Sequence, residues 1–185
     1  MSKALLLIDY TNDFVADDGK LTCGKAAQDI EDSIAEKVKQ YYNANEYIII
    51  ANDLHYKDDL SHPESKLFPE HNILGTEGRN IYGRVGRIIS DLFESKYKNI
   101  RCFDKTRYSA FAHTDLQAYL ASEKIDTIEL CGVCTDICIL HTAVDAYNLG
   151  YFNTIIDSRC VASFNQTGHD WALNHFKSTL GFTVY

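Results

Sequence analysis

The chain has 185 residues, 45% of them hydrophobic and 24% charged, with a formal net charge of -8. That length suits one domain spanning residues 1–185, able to bury roughly 70% of its unfolded-chain surface, and the acidity, with no Lys/Arg cluster to interrupt it, argues against nucleic acid or an anionic membrane as partner. No apolar run approaches the ~18 residues needed to span a bilayer, and the apolar start turns acidic too soon for a signal peptide, so a cytoplasmic protein with a small-molecule ligand is expected.

In chain order, short apolar runs at residues 4–8, 47–51, 100–103, 127–131, 152–156 and 183–185 read as strands. Amphipathic stretches at 26–43, 80–95, 115–122, 136–148 and 166–179 read as helices between them. Strand alternating with helix to the end of the chain predicts an α/β fold in three layers: a mostly parallel six-stranded sheet with helices on both faces. In such a sheet ligands bind beyond the carboxyl ends of the strands. Asp9 ends the first strand, Asp53 and His55 follow the second, Lys105 follows the third and Cys138 follows the fourth, so five reactive side chains are expected on one rim.

Residues 52–79 form the longest stretch without clear periodicity, and a loop of that length in a compact domain is usually functional or disordered. This one holds both prolines and three of the seven histidines. Asp53 and His55 lie two apart, so an extended segment points both side chains the same way, and His71 would complete a carboxylate and two-imidazole metal site, with Glu64 as a further ligand. Solvated loop histidines are the plain alternative. No role is assigned to His62, and His113, His141, His169 and His175 read as surface or packing residues.

The stretch IELCGVCTDICILHTAVDAYNLG, from Ile128 to Gly150, carries a buried-strand pattern straight into a helix with Cys138 on its first turn. Thr135 or Asp136 would cap that helix. Unpaired N–H groups and the helix dipole at this end favour thiolate, which would lower the cysteine below ~8.5. An inert buried thiol is the competing reading. The six cysteines, at positions 23, 102, 131, 134, 138 and 160, are expected as reduced thiols rather than a disulfide framework. Cys131 and Cys134 form a C-x-x-C, but no second one exists to complete a zinc ribbon, and the motif closes a strand rather than opening a helix.

These segments carry a resemblance. GVCTDICILHTAVDAYNLGY resembles the nucleophile signature G-[VI]-x-T-[DE]-x-C of the isochorismatase-like cysteine hydrolases, ALLLIDYTNDF their first strand with its catalytic aspartate, and FDKTRYSAF their lysine segment. Within that superfamily, NDLH followed by HPESKLFPEHNILGTEG is similar to the metal loop of nicotinamidases, and the likeness spans essentially the whole chain. It implies Asp9, Lys105 and Cys138 as the catalytic set, and backbone N–H groups of Cys134 and Cys138 as the oxyanion hole after a cis peptide bond. It also implies Phe14, Leu21, Phe68, Tyr108 and Val133 around the substrate ring. Asp53, His55, Glu64 and His71 would surround one divalent metal, Zn first and Fe or Mn next, with direct or water-mediated ligation by Glu64 left open.

The implied reaction is hydrolysis of nicotinamide to nicotinate and ammonia through a thioester in NAD salvage, with pyrazinamide as a related amide, in a homo-oligomer such as a dimer or tetramer. A superfamily hydrolase for isochorismate or a ureido compound would keep the catalytic set without the metal cluster. A catalytically silent binding protein and a redox or metal-storage protein built on the cysteines are the remaining alternatives.

Overall fold

The computed structural model describes residues 2–151 and 153–185. At its centre lies β1 (Ser2–Ile8), in which every side chain from Ala4 to Ile8 is fully buried, as an apolar strand covered on both faces must be. With β2 (Tyr47–Asp53), β3 (Ile100–Lys105), β4 (Ile125–Val133), β5 (Asn153–Ala162) and β6 (Thr183–Val184) it forms one six-stranded sheet in the order β3-β2-β1-β4-β5-β6. Every pairing is parallel. Phe152, expected to start the fifth strand, lies outside the described residues.

Seven helices cover the sheet: α1 (Asn12–Val15), α2 (Lys25–Asp29), α3 (Glu31–Asn43), α4 (Gly83–Glu94), α5 (Leu116–Ser122), α6 (Leu140–Asn148) and α7 (Gln166–Ser178) among the described residues. The period-two alternation of the strands sorts the core into two halves. Leu5, Leu7, Ile48 and Ile50 pack with Ala27 of α2, Ile34 and Val38 of α3 and Ile89 of α4. Leu6, Ile8 and Ile49 pack with Leu116 and Leu120 of α5, Ala143 of α6 and Phe176 of α7. These are the three layers that the alternation of elements predicts.

Two expected helices are altered by tertiary hydrogen bonds. The helix read over 26–43 breaks at Ile30, where the Tyr10 hydroxyl donates to the Ala27 carbonyl at 2.8 Å, the oxygen a continuous helix would offer to Glu31. The helix read from residue 80 starts at Gly83, because Asn80 to Tyr82 instead pair with the chain after β1: Asn12 N donates to Asn80 O and Tyr82 N to Tyr10 O. The short helix α1 has too few residues to show a period.

β1 lies between β2 and β4, so the chain winds outward to β3 and then returns to the other side of β1. A crevice opens beyond the strand ends where this order reverses. The register aligns Ile8 with both Ala51 and Gly132, and Asp53 with Lys105. Gly132 has φ 115°, and a Cβ there would lie 1.9 Å from the Ile8 carbonyl oxygen, so only glycine lets β4 approach β1 this closely at the rim.

Candidate active site

Asp9 stands one residue past β1 with φ 54°, a left-handed conformation that aspartate tolerates better than most residues. Its fully buried carboxylate accepts from the Asp53 N–H through Oδ1 at 2.7 Å and meets Lys105 Nζ through Oδ2 at 2.6 Å. Lys105, the last residue of β3, is also fully buried. Its ammonium contacts Asp53 Oδ1, the Arg107 carbonyl at 3.3 Å and Cys138 Sγ at 3.7 Å. Three adjacent strand ends and the turn after β4 therefore deliver Asp9, Asp53, Lys105 and Cys138 to one place. Asp9, Asp53 and Cys138 are close enough to ligate a cation, and the lysine ammonium already lies against all three.

The electrostatics oppose the thiolate expected from the sequence. Burial pushes the Cys138 thiol well above its usual range, Lys105 pulls it down, and the Asp9 and Asp53 carboxylates add to the rise. Burial and then Asp53 lift Asp9 to about 6, against the lowering effect of the Lys105 ammonium and the neighbouring Cys138 thiol. Burial works against the Lys105 charge, but Asp53 and Asp9 carry it well above the ordinary lysine value. The resting cluster is thus a thiol close to an aspartate and beside a buried cation. Neither Thr135 nor Asp136 caps the helix as expected. Thr135 Oγ1 bonds His169 Nδ1 at 2.8 Å, Asp136 Oδ1 accepts from Ser163 Oγ at 2.6 Å, and Cys138 sits in a π-helical turn, Thr135–Ile139, ahead of α6.

On the other side of Asp53, the ligand atoms of Asp53, His55, Glu64 and His71 lie within 4.8 Å of one another and all four residues are buried. His71 Nδ1 donates to the Pro69 carbonyl at 2.8 Å, which leaves Nε2 as a bare lone pair. Nε2 of His55 and of His71 are buried without a hydrogen-bond partner, and their nearest carboxylate oxygens are Asp53 Oδ2 at 4.0 Å and Glu64 Oε2 at 3.6 Å. Orphaned buried polar atoms cost about 1–3 kcal/mol each. Two of them aimed among carboxylates fit a divalent metal, and the imidazole and carboxylate donors suit that role. Burial and then Asp53 raise Glu64 to about 7, while burial opposes and Lys105 leads the lowering of Asp53 to about 2.

Several supporting residues escaped the sequence reading. His62, which received no role, accepts from Glu64 N through Nδ1 at 3.2 Å and donates from Nε2 to the Thr106 carbonyl at 2.8 Å, so it caps the turn Pro63–Lys66 that buries Glu64. Asp13 Oδ2 accepts from Asn72 N at 2.7 Å, Thr11 Oγ1 donates to the Asn72 side chain at 2.8 Å, and His55 N donates to the Asn72 carbonyl at 3.1 Å. That clamp fixes the residue after His71. Arg79 Nε donates to the Asp53 carbonyl at 2.8 Å. His62 was visible as a third histidine in the loop; Asp13 and Asn72 carry no signal until the loop folds back on α1.

Asp53 and Cys138 of one cluster and Asp53 and Glu64 of the other line a common apolar cavity. Phe14, Leu21, Phe68 and Tyr108 line it, joined by Ile137, Phe164, Cys134 and Cys138. Val133, expected against the substrate, is instead fully buried in the core and lines none of it, because the strand is still inside the sheet there. The Val133-Cys134 peptide bond is cis. The two C-x-x-C sulfurs have separate neighbours: Cys131 Sγ meets the Leu6 carbonyl and Cys134 Sγ meets Cys23. Neither joins a metal-ligating group among the described residues.

The Isochorismatase domain model matches residues 3–184, and the chain belongs to the isochorismatase family. The crystal structure of nicotinamidase/pyrazinamidase PncA from Bacillus subtilis superposes with a TM-score of 0.96 at 50% identity, covering 100% of this chain and 99% of that one. Pyrazinamidase/nicotinamidase from Streptococcus mutans gives 0.95 at 49% identity with both chains covered completely. The nicotinamidase SaPncA from Staphylococcus aureus gives 0.85 at 43% identity, covering 100% of this chain and 99% of that one. Among the described residues no helix is long and apolar enough to cross a membrane.

Proposed function

We propose that this chain is a nicotinamidase, an amidohydrolase that converts nicotinamide to nicotinate and ammonia in NAD salvage and accepts pyrazinamide as a related amide. One observation carries the reading: Asp53 belongs both to the cluster around Lys105 and to the imidazole and carboxylate cluster, and the two meet at one apolar cavity. A planar ring bearing a carboxamide at one end and a ring nitrogen at the other can address both. Asp53, His55, Glu64 and His71 would hold a divalent metal, Zn first and Fe or Mn next, which when bound supplies a Lewis-acid contact for the ring nitrogen.

Phe14, Leu21, Phe68 and Tyr108 enclose the ring and hold the carboxamide carbon near Cys138. Cys138 Sγ attacks that carbon while its proton passes to Asp9, the carboxylate beside it. At about 6, Asp9 is ionised at neutral pH yet basic enough to take the proton, which matches a general base to its working pH. Lys105 stays charged throughout and stabilises thiolate and carboxylate together. Backbone N–H groups of Cys134 and Cys138 face the developing oxyanion, where one such donor is typically worth ~2.7–4 kcal/mol. Asp9 then returns its proton to the departing ammonia, leaving a thioester on Cys138. It next accepts a proton from the water that attacks the thioester and frees nicotinate.

We read the protein as a cytoplasmic homo-oligomer, a setting that suits six free cysteines. The test is ammonia release from nicotinamide by metal-replete protein alongside a chelated sample. Rapid release that falls on chelation supports the reading. No release from the replete protein overturns it and directs the search to other amides and ureido compounds.

A further inference from the structure

Cys23 and Cys134 are 111 residues apart in the chain, yet their sulfurs lie 3.2 Å apart in the buried interior. Cys134 also lines the active-site cavity beside Cys138, whereas Cys23 lies behind it, two residues after Leu21 of the cavity wall. Cys138 Sγ faces Lys105 and Cys131 Sγ faces the Leu6 carbonyl, so Cys23 is the sulfur that meets Cys134. A disulfide needs its sulfurs at about 2.05 Å, a closure of only about 1 Å from here.

We propose that Cys23 and Cys134 are a peroxide-responsive thiol pair whose disulfide reversibly closes the active site. The disulfide itself stands on the sulfur geometry; the loss of activity rests on the function proposed for Cys138 and its oxyanion donors. A hydroperoxide entering the cavity reaches Cys134, which lines it, and not Cys23. The Cys134 sulfur attacks one peroxide oxygen, an S–O bond forms as the O–O bond breaks, and the departing hydroxide takes up the thiol proton as water. The Cys23 sulfur then attacks the sulfenic sulfur, and S–S formation expels the second oxygen as water with the Cys23 proton. Two thiols lose two electrons to one hydrogen peroxide, giving one disulfide and two waters.

The link ties the Leu21 wall to the turn that carries Cys134 and Cys138. It draws Cys134 away from the position in which its N–H serves the oxyanion. Contact with Cys23 and burial both push the Cys134 thiol up, so oxidation proceeds slowly and quickens as pH rises. A dithiol reverses it by exchange.

The experiment treats the whole metal-replete protein with hydrogen peroxide and follows intact mass, non-reducing peptide maps and ammonia release from nicotinamide together. Expected are a mass decrease of about 2 Da, a linked peptide pair containing Cys23 and Cys134, activity down at least ~tenfold, and recovery of both with dithiothreitol. Cys138→Ala should form the same link. Cys23→Ser should keep basal activity and lose the dithiothreitol-reversible inactivation; Cys23→Ala replaces it should the serine variant fail to fold. A link between Cys134 and Cys138, or oxygen adducts on Cys138 with Cys23 and Cys134 still free, overturns the proposal. A link that forms in protein without ammonia release upholds the pair while removing the nicotinamide reading.

Discussion

Replacing Lys105 with methionine removes a cation that no solvent can substitute. Its ammonium is fully buried and lies 2.6 Å from Asp9 Oδ2, with Asp53 Oδ1 in contact on its other side. At that separation and an effective dielectric near 20 the Asp9 pair alone is worth ~6 kcal/mol in Coulomb attraction, offset by the desolvation already incurred by both ions. Measured losses for removing one partner of a buried pair run about 3–5 kcal/mol. In a chain of this size ~1 kcal/mol shifts Tm by roughly 2–4 °C, so Lys105→Met should melt about 6–20 °C below the parent. The same change leaves the Cys138 thiolate with only carboxylates nearby, and ammonia release should fall by at least ~100-fold. Adding Asp9→Asn should return part of the lost stability, since one of the two stranded carboxylates becomes neutral, and return none of the rate. Melting curves and ammonia assays on the parent, both single variants and the double variant close the cycle. A Lys105→Met protein that melts with the parent, or works within tenfold of it, would refute the assignment of Lys105 as the charge that holds this cluster.

Cys138→Ala should bind nicotinamide and release no ammonia, and near-parental turnover in that variant would move the nucleophile elsewhere. His71→Ala removes one of the two orphaned Nε2 atoms, so metal content by elemental analysis and nicotinamide affinity should fall together, by about 10-fold or more; unchanged metal content would sink the ligand assignment. Away from the site, Asp157 is fully buried, and although burial opposes it, bonds from Arg159 and then Lys37 hold its carboxyl at about 2 instead of 3.8. The depressed value makes its contribution, about 2 kcal/mol, fully present above pH 3.8 and lost as pH falls through 2. Denaturant titrations of the parent and Asp157→Asn should therefore differ at pH 7 and converge towards pH 2, and an equal gap at both would count against it.

The alternation of apolar runs made the layers and the parallel sheet legible, because strands buried on both faces leave uninterrupted runs such as ALLLI and helices between them leave a period. Residue types at strand ends placed Asp9, Asp53, Lys105 and Cys138 on one rim for the same reason. What the sequence concealed were features set by tertiary bonds between distant segments. The break at Ile30 depends on a hydroxyl from Tyr10, and the clamp on Asn72 depends on Asp13 and Thr11. The protonation of Cys138 was concealed as well, because local helix geometry suggested a lowered thiol while burial, a property of the whole fold, raises it.

Asp53 explains why the two clusters share a cavity rather than occupy separate ends of the crevice. Its backbone N–H anchors Asp9, its carbonyl receives Arg79, one carboxylate oxygen meets Lys105 and the other faces His55. Parallel register puts Asp53 opposite Lys105, so a single strand end fixes Asp9, Lys105 and the histidine cluster relative to one another. Side chains on rigid strands hold such distances more tightly than loop residues do. The loop after β2 then has only to bring Glu64 and His71 to a carboxylate already in place, and its bonds through His62 and Asn72 do this at the backbone. A carboxamide and a ring nitrogen are likewise a fixed distance apart in a rigid substrate. Selection between such substrates and flexible amides would therefore follow from the span that Asp53 sets between Cys138 and the histidines.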